Sequence, residues 1–341
     1  MIKFGLIGCG RISDNHFKAI AEIEEAVIKC CCDTDIKKAE DKAELYNVFS
    51  VYSDYKNMIK SEDIDSVIIC TPSGLHPEAG IFAAANKLNV ITEKPMAIDL
   101  ESADELIREC DRNGVKLFVV KQNRLNRTMQ LLKKAVGKNR FGKIYTVQSN
   151  VFWQRPQSYY DQAKWRGTWE FDGGAFMNQA SHYVDALYWL IGPVDHVLAE
   201  TATMQRKIET EDTGSAILKF RNGVIGTINV TLLTYPKNFE GSITVLGEKG
   251  TAKIGGIAVN KIEKWDFEEY DDDDRIVTES NYNPPNVYGF GHLPYYINVV
   301  SSLLGTSSPG TDGRDGRKSL EIIRAIYLSA KEGKKVALPL A

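Results

Sequence analysis

A glycine-rich turn after an apolar stretch, followed by an acid roughly twenty residues later, is the first pattern with chemical meaning. Gly8 permits a tight turn after the predicted strand, and Gly10 lets the backbone approach a pyrophosphate closely. A helix beginning near Ser13 would point its N-terminal amides at that anion. Asp33 ends the next apolar stretch, where a carboxylate can accept hydrogen bonds from ribose hydroxyls and repel a 2′-phosphate. The pattern predicts a dinucleotide site that favours NAD over NADP.

Lys94 is the first residue that could accept a proton. It follows Glu93 at the carboxyl end of a predicted strand over 89–92, where the nicotinamide of a bound NAD should lie. Partial burial and the positive nicotinamide both disfavour the ammonium form, so this lysine should be a usable base. Pro95 can fix a backbone bend that aims Lys94 into the cleft, and the peptide bond before it can be cis. A lysine before a proline, taken alone, is usually a loop residue.

His182 is the second candidate, in a segment that begins Asp-Gly-Gly and continues into a predicted helix over 176–191. On that helix Asn178, His182 and Asp185 would stand at i, i+4 and i+7, which is one face. Histidine transfers protons near neutral pH, although a histidine on an amphipathic helix is more often structural. Dehydrogenation of an alcohol needs one acceptor for hydride and another for the proton. A cofactor site with Lys94 and His182 would supply both.

Strands and helices that alternate through the first third of the chain would position the turn and the lysine. Apolar strands alternating with amphipathic helices predict a parallel sheet covered on both faces. Ligands collect at the carboxyl ends of such strands. The strands are predicted from residue 2 and over 26–32, 49–51, 66–70, 89–92 and 116–120, with helices near 35–46, 76–86 and 99–112.

The remainder of the chain has a different pattern. Alternating or β-rich segments with few helices between them predict a mostly antiparallel sheet. The fold class is therefore α/β, with a dinucleotide-binding domain over 1–122 and an α+β domain over 123–341. The predicted strands are Ile144–Trp153, Val197–Thr203, Thr213–Phe220, Val224–Leu232, Ser242–Leu246 and Thr251–Ile254, and the helices are Arg127–Gly137, 176–191 and Asp315–Lys331.

Composition excludes several classes of partner. The chain has 341 residues and a formal net charge of −3, which gives no reason to expect nucleic acid or a membrane surface. No apolar run could span a bilayer, and a strand that begins at residue 2 leaves no room for a secretion signal, so we expect a cytoplasmic protein. The six cysteines should be buried thiols. The acidic run Asp271–Asp274 is interpreted as a solvated loop, and no metal is expected.

These motifs resemble the Gfo/Idh/MocA oxidoreductases over the whole chain. The motifs are Gly8-x-Gly10, Thr71-Pro72-Ser73 with His76, Glu93-Lys94-Pro95, the histidine helix and the ending Gly316–Glu321. The resemblance implies an N-terminal Rossmann domain, an open sheet that carries substrate and oligomer contacts in a dimer or tetramer, and catalytic roles for Lys94 and His182. The expected cofactor contacts are Gly8, Gly10, Arg11, Ile12, Asp33, Thr71, Ser73, His76, Glu93, Lys94, Gln122, Trp165 and Arg166.

Within that family, the middle segment is similar to dehydrogenases that oxidise the carbon-3 hydroxyl of UDP-linked N-acetylated hexuronates for surface polysaccharide biosynthesis. The similar stretches are Lys121–Arg124, Trp153–Arg155, Tyr159–Asp161, Trp165–Trp169 and Met177–His182. Arg155 could pair with a carboxylate or phosphate in bidentate fashion, and the aromatic side chains could stack on sugar or uracil. The expected substrate contacts are Lys94, Arg155, Tyr160, Asn178, Gln179 and His182.

One departure from the family pattern bears on the choice of base. Many members have an aspartate four residues before the histidine, where this chain has Asn178. A neutral amide cannot balance an imidazolium as a carboxylate would, so we favour Lys94 as proton acceptor, with His182 holding or relaying the proton. Two alternatives remain: a dehydrogenase of the same family acting on inositol, a free sugar or a dihydrodiol, and a non-catalytic NAD-sensing regulator. The pair Lys94 and His182 argues against the regulator.

Overall fold

The chain divides into two compact units in a computed structural model, which describes residues 1–284 and 287–340. A segment near the carboxyl end belongs to the first unit, whereas the sequence analysis divided the chain once, after residue 122. The first unit comprises Met1–Lys121 and His292–Arg317, and the second comprises Gln122–Gly291 and Lys318–Ala341.

The helices largely follow the amphipathic segments of the sequence. In the described part of the chain they are α1 (Ser13–Ala21), α2 (Ile36–Tyr46), α3 (Tyr55–Ser61), α4 (His76–Ala85), α5 (Leu100–Asn113), α6 (Arg127–Gly137), α7 (Gln157–Asp161), α8 (Ser181–Ile191), α9 (His292–Leu303) and α10 (Gly313–Glu332). The bounds of α6 match the prediction at both ends. Helices α3, α7 and α9 were not predicted.

The first unit contains a six-stranded, fully parallel sheet in the order β3-β2-β1-β4-β5-β6. Its strands are β1 (Ile2–Ile7), β2 (Ala26–Cys32), β3 (Ser50–Tyr52), β4 (Ser66–Ile69), β5 (Asn89–Thr92) and β6 (Leu117–Val119). Strand β4 is wholly buried, which explains its unbroken apolar sequence. The strand order reverses between β1 and β4, where sheets of this type bind ligands.

The second unit contains an eight-stranded sheet in the order β13-β12-β11-β7-β10-β9-β8-β14. Its strands are β7 (Ile144–Phe152), β8 (Val194–Ala202), β9 (Thr213–Phe220), β10 (Ile225–Thr231), β11 (Glu240–Gly247), β12 (Gly250–Gly255), β13 (Lys261–Phe267) and β14 (Val336–Ala337). Only the β7–β10 pair is parallel among the pairs described. The predicted parallel sheet followed by a mostly antiparallel sheet is confirmed.

The segment that belongs to the first unit is attached by hydrogen bonds to the last strand of its sheet. Thr311 Oγ1 donates to the carbonyl oxygen of Val119 at 2.8 Å, and the amide of Val119 donates to the carbonyl oxygen of Thr311 at 3.3 Å. Helix α9 packs against α1. These contacts join residues almost two hundred positions apart. Local sequence patterns cannot predict such pairing.

Three further predictions concern the cysteines, the acidic run and the membrane. The six cysteines are buried free thiols, as predicted. The acidic run differs from the solvated loop that was expected: Asp271 caps a short 3-10 turn at Asp272–Ile276, Lys138 pairs with Asp271 at 2.7 Å, and Arg140 pairs with Asp274 at 2.6 Å. Among the described residues, no helix combines the length and apolar character needed to cross a membrane.

Candidate active site

The glycine turn after β1 is shaped by a close approach to the segment after β4. Gly8 has a φ of +97°, and a Cβ atom there would lie 2.7 Å from the carbonyl oxygen of Cys70. The amide of Gly8 donates to the carbonyl oxygen of Cys32 at 2.7 Å. A Cβ atom on Gly10 would meet nothing within 4 Å. The turn therefore packs closely against the sheet at Gly8, whereas the space beside Gly10 is unfilled.

Asp33 lies directly beside this turn. Its Oδ2 accepts a hydrogen bond from the amide of Cys9 at 2.9 Å, and its Oδ1 accepts one from the amide of Asp35 at 2.9 Å. Ser13 is fully buried at the start of α1, as a small residue packed close to the sheet should be. Exposed Arg11 and half-buried Ile12 complete the turn. The structure thus brings the predicted pyrophosphate and ribose contacts of this segment together.

His76 connects the segments that follow β4 and β5. Its Nδ1 lies 2.8 Å from the carbonyl oxygen of Pro95, and its Nε2 lies 2.9 Å from the carbonyl oxygen of Thr71. Burial lowers the pKa of this histidine, although the hydrogen bonds to the two backbone carbonyls act in the opposite direction. Ser73 is buried at the start of a 3-10 turn before α4. The cofactor contacts predicted for Thr71, Ser73 and His76 stay predictions, and the structure adds a bracing role for the imidazole.

Lys94 lies directly after β5, on a loop whose backbone is held on both sides. The peptide bond between Lys94 and Pro95 is cis. The amide of Lys94 donates to Oε2 of Glu93 at 3.0 Å, and Pro95 is held through its contact with His76. The side chain of Lys94 is half-buried. A partly desolvated lysine on a fixed main chain suits the role of a proton acceptor.

The carboxylate of Glu93 is buried among histidines. Its Oε1 lies 3.0 Å from Nε2 of His16 and 3.9 Å from Nε2 of His292. Burial alone would raise the pKa of Glu93, but hydrogen bonds and charge from the two histidines hold it well below its usual value. Glu93 was expected to contact the cofactor. In the structure its carboxylate is engaged by His16 and by the amide of Lys94.

In the second unit, the helix that carries His182 begins later than predicted. Helix α8 starts at Ser181, and His182 is its second residue, half-buried. Asn178 therefore lies in the turn before the helix and not on its face, which corrects the prediction of a helix from residue 176. The amide of Asn178 donates to the carbonyl oxygen of Gly174 at 2.9 Å, and its side-chain amide donates to Asp172.

Asp185 lies on α8 as expected, and its carboxylate binds Arg124. Its carboxylate accepts two hydrogen bonds from Arg124, from Nε at 2.7 Å and from Nη2 at 2.8 Å. Both side chains are buried. The guanidinium carbon of Arg124 also lies 5.7 Å from the centre of the Trp189 ring. This bidentate ion pair fixes α8 within its unit, because a buried carboxylate that lost its partner would be strongly destabilising.

Glu211 is a residue of the site that the sequence analysis missed. Its Oε1 accepts hydrogen bonds from the amide of Phe176 at 2.9 Å and from the hydroxyl of Tyr327 at 3.0 Å. A Cβ atom on Gly174 would lie 1.6 Å from its Oε2, so only glycine fits there. The hydroxyl of Tyr327 accepts from the amides of Gly174 and Met177. Glu211 and Tyr327 thus support the turn before α8.

Burial determines the ionisation of Glu211. Desolvation, reinforced by nearby Asp172, raises its pKa to about 7, although hydrogen bonds from Phe176 and Tyr327 act in the opposite direction. Its second oxygen, Oε2, has no hydrogen-bond partner among the described residues. The only sequence signal was the acidic pair Glu211-Asp212 directly before β9, which can also be read as a surface turn.

Several predicted substrate and cofactor contacts of the second unit form one arginine–aromatic cluster. The guanidinium carbon of Arg166 lies 4.2 Å from the centre of the Tyr159 ring, and that of Arg155 lies 5.5 Å from the same ring. Tyr160 packs against Tyr159 at 5.1 Å between ring centres. Half-buried Trp165 lies next to Arg166, at 5.6 Å from its guanidinium carbon. Arginine and aromatic side chains of this kind can bind anions and planar groups.

Gln122 and Gln179 are both buried in the second unit. Gln122 begins a short 3-10 turn at Gln122–Leu125, and its Oε1 has no hydrogen-bond partner among the described residues. The predicted contacts of these two residues with cofactor and substrate stay predictions.

Family models cover most of the chain. Residues 2–121 match the model described as oxidoreductase family, NAD-binding Rossmann fold, and residues 133–338 match oxidoreductase family, C-terminal alpha/beta domain. The chain belongs to the Gfo/Idh/MocA oxidoreductase family. Residues 2–121 are thus an NAD-binding Rossmann domain, and the protein is an NAD-dependent oxidoreductase.

Two solved structures are similar over the full length. One is the WlbA dehydrogenase from Bordetella pertussis in complex with NADH and UDP-GlcNAcA, at 52% identity over 100% of this chain and 98% of that chain, with a TM-score of 0.96. The WlbA dehydrogenase from Chromobacterium violaceum, with the same ligands, is 51% identical over 100% and 96%, with a TM-score of 0.95. A curated relative, myo-inositol 2-dehydrogenase of Thermotoga maritima, is 25% identical over 99% of this chain and 98% of its own.

Alanine at the two glycines of the turn should separate folding from cofactor binding. Gly8→Ala should lower the melting temperature, because φ +97° and the contact with Cys70 both disfavour a Cβ atom. Gly10→Ala should leave the melting temperature unchanged but raise the Kd of NAD by about tenfold or more, since the methyl group fills the open side of the turn. Calorimetry and a binding titration measure both. Wild-type NAD affinity in Gly10→Ala would show that the cofactor does not approach there.

Glu211→Gln should change how stability depends on pH. Because the folded carboxyl titrates near 7 and the unfolded one near 4.5, the folded state of the wild type binds the extra proton between these values. Its stability should therefore fall as pH rises through that interval, by on the order of 3 kcal/mol relative to Glu211→Gln. Urea unfolding at several pH values measures this. Exposed Glu209→Gln is the control, and equal pH dependence of wild type and Glu211→Gln would refute the assignment.

Proposed function

We propose that this protein oxidises the carbon-3 hydroxyl of a UDP-linked N-acetylated hexuronate to a 3-keto sugar, with NAD as cofactor, for surface polysaccharide biosynthesis. The observation that carries the proposal is 52% identity over the whole chain to the Bordetella pertussis dehydrogenase in complex with NADH and UDP-GlcNAcA. The half-buried lysine after β5 supports an oxidation that releases a proton. The arginine–aromatic cluster supports a substrate that bears anionic and planar groups.

The residues of the first unit fit NAD. Gly10 leaves room for the pyrophosphate, and the amides at the start of α1 favour an anion there. Asp33 lies beside the turn, where its carboxylate can accept hydrogen bonds from the adenosine ribose and disfavour NADP. Exposed Arg11 can approach the phosphates from the same turn. These residues would hold NAD, which would supply the hydride acceptor for the carbon that carries the hydroxyl.

Side chains of this protein would accept the proton and orient the sugar. Lys94 accepts the hydroxyl proton as the hydride leaves, and His182 holds or relays that proton. Asn178, whose side-chain amide is fixed by Asp172, orients the sugar. Arg155 binds the hexuronate carboxylate or a phosphate through its guanidinium. Because Asn178 is neutral, no carboxylate at that position stabilises an imidazolium at His182, and Lys94 remains the better acceptor.

The protein also presents a surface suited to self-association. Leu198, Ile217 and Ile225 are 44%, 50% and 49% exposed on strands of the second sheet. Leu198 and Ile217 are direct partners across the β8–β9 pair, so their side chains lie on one face. Exposed aliphatic side chains on an open sheet favour burial against another copy. A dimer or tetramer built through this face is therefore proposed, and a cytoplasmic location stays a prediction.

Replacement of Lys94 tests the assigned base directly. Lys94→Ala should bind NAD with a Kd within about threefold of wild type, while kcat falls by roughly 10²–10⁴-fold, the usual contribution of a positioned acid or base. Turnover is measured as NADH formation, followed by its absorbance. Exposed Lys87→Ala, in the same unit, is the control. Near-wild-type turnover by Lys94→Ala would overturn the proposed function.

A substrate panel distinguishes the proposed reaction from the family's other activities. UDP-GlcNAcA should have a kcat/KM at least about 100-fold higher than the free sugar acid, myo-inositol or D-apiose, because contacts to the nucleotide can be used to position carbon 3. Arg155→Ala should reduce this preference. A higher kcat/KM for inositol or apiose would favour those dehydrogenases instead. NAD binding without turnover of any of these compounds would favour the sensor.

A further inference from the structure

A buried cluster beside Lys94 has no assigned part in the proposed reaction. It consists of His16, Glu93 and His292, here called the Glu93 cluster. We propose that the Glu93 cluster is a positioning device that holds the main chain of Lys94 where its side chain can accept the substrate proton. The proposal rests on the proposed function, because it takes Lys94 as the proton acceptor.

The direct link is the hydrogen bond from the amide of Lys94 to Oε2 of Glu93, at 3.0 Å. The other oxygen of the same carboxylate, Oε1, lies 3.0 Å from Nε2 of His16 and 3.9 Å from Nε2 of His292. Each carboxylate oxygen is thus committed to a different element. Glu93 cannot move without breaking either its bond to Lys94 or its contact with the histidines.

The two histidines connect Glu93 to the helices around it. His16 lies on α1, the helix that begins at the dinucleotide turn, and His292 is the first residue of α9. Their rings meet edge to face with centres 5.4 Å apart. The hydroxyl of Tyr296, also on α9, lies 2.6 Å from Nδ1 of His16 and fixes the ring. These contacts therefore fix the backbone of Lys94 relative to α1, the helix whose N-terminal amides would bind the pyrophosphate of the cofactor.

The negative charge of Glu93 strengthens its hydrogen bonds. The histidines hold the pKa of Glu93 well below its usual value despite burial, so the carboxylate is ionised. Hydrogen bonds to an ionised acceptor are roughly twice as strong as neutral ones, and a buried charge that lost its partners would be strongly destabilising. A misplacement of about 1 Å at a reacting group can reduce a rate by about 10²-fold. An ionised, fully engaged Glu93 would prevent such a shift at Lys94.

The same donor atoms could also be read as a metal site, since they lie within 4.8 Å of one another. Two observations favour the hydrogen-bonded cluster. The 3.0 Å separation of His16 Nε2 and Glu93 Oε1 is that of a direct hydrogen bond, which satisfies both groups. Among the described residues, only these three candidate ligands converge, one fewer than the four of a closed structural zinc site. Metal content is therefore one outcome of the test.

Glu93→Gln tests the proposal, because it keeps the size of the side chain and removes the charge. The expected result is a fall in kcat of about tenfold or more, with the Kd of NAD and the KM of UDP-GlcNAcA each within about threefold of wild type. Glu62→Gln is the matched control: this carboxylate is also largely buried in the first unit but binds Tyr52 and Lys29, so kcat should not change.

Three results would overturn the proposal. The first is a folded Glu93→Gln variant with wild-type kcat, and the second is a parallel loss of kcat and NAD affinity, which marks a merely structural role. The third is stoichiometric zinc in the purified wild type whose removal by a chelator abolishes turnover. If Lys94→Ala is inactive and Glu93→Gln is fully active, only this proposal fails. If Lys94→Ala is active, the proposed function itself fails.

A second pair of variants applies if Glu93→Gln does not fold. His16→Gln keeps an amide donor near the position of Nε2, which lies 3.0 Å from Oε1 of Glu93, whereas His16→Leu removes it. The kcat of His16→Gln should exceed that of His16→Leu by about fivefold or more at equal NAD affinity, since this donor restrains Glu93. Equal kcat values in the two variants would contradict the proposal.

Discussion

The buried carboxylate of Glu93 is the interaction on which the local geometry of the first unit depends. It binds the amide of Lys94 with one oxygen and faces His16 with the other, so the loop of Lys94 and helix α1 share one anchor. His76 lies between the carbonyl oxygens of Thr71 and Pro95. The contacts with the amide of Lys94 and with the carbonyl oxygen of Pro95 involve backbone groups, so they fix where the main chain of Lys94 runs.

Two buried glutamates have opposite pKa shifts because their surroundings differ. Glu93 faces histidines, which hold its pKa well below the usual value, and it acts as a fixed anion. Glu211 faces amides and the hydroxyl of Tyr327, and burial raises its pKa to about 7, so it is only partly ionised near neutral pH. The first supports the lysine loop and the second supports the turn before α8. Each unit thus uses a buried carboxyl to hold the segment that carries its candidate catalytic residue.

Local patterns predicted the parts of the fold that local chemistry determines. The turn at Gly8 and Gly10, the position of Asp33 and the loop of Lys94 follow from residue type and spacing within one βα unit. The start of α8 did not, because Phe176 donates to Glu211 and the turn is held by Tyr327, both distant in sequence. Strand β13 was missed because its exposed, polar sequence lacks a buried stripe. Helix α9 packs against α1, and local hydrophobic periodicity cannot predict a contact between residues so far apart in sequence.

The most direct measurement is a crystal structure of the protein with NAD and UDP-GlcNAcA bound. The account predicts that carbon 3 of the hexuronate lies over the nicotinamide ring and that Nζ of Lys94 lies within hydrogen-bond distance of the hydroxyl on that carbon, about 3 Å. A different hydroxyl facing the ring would change the reaction assigned. A Lys94 side chain directed away from the sugar would contradict the central claim that this amine receives the proton.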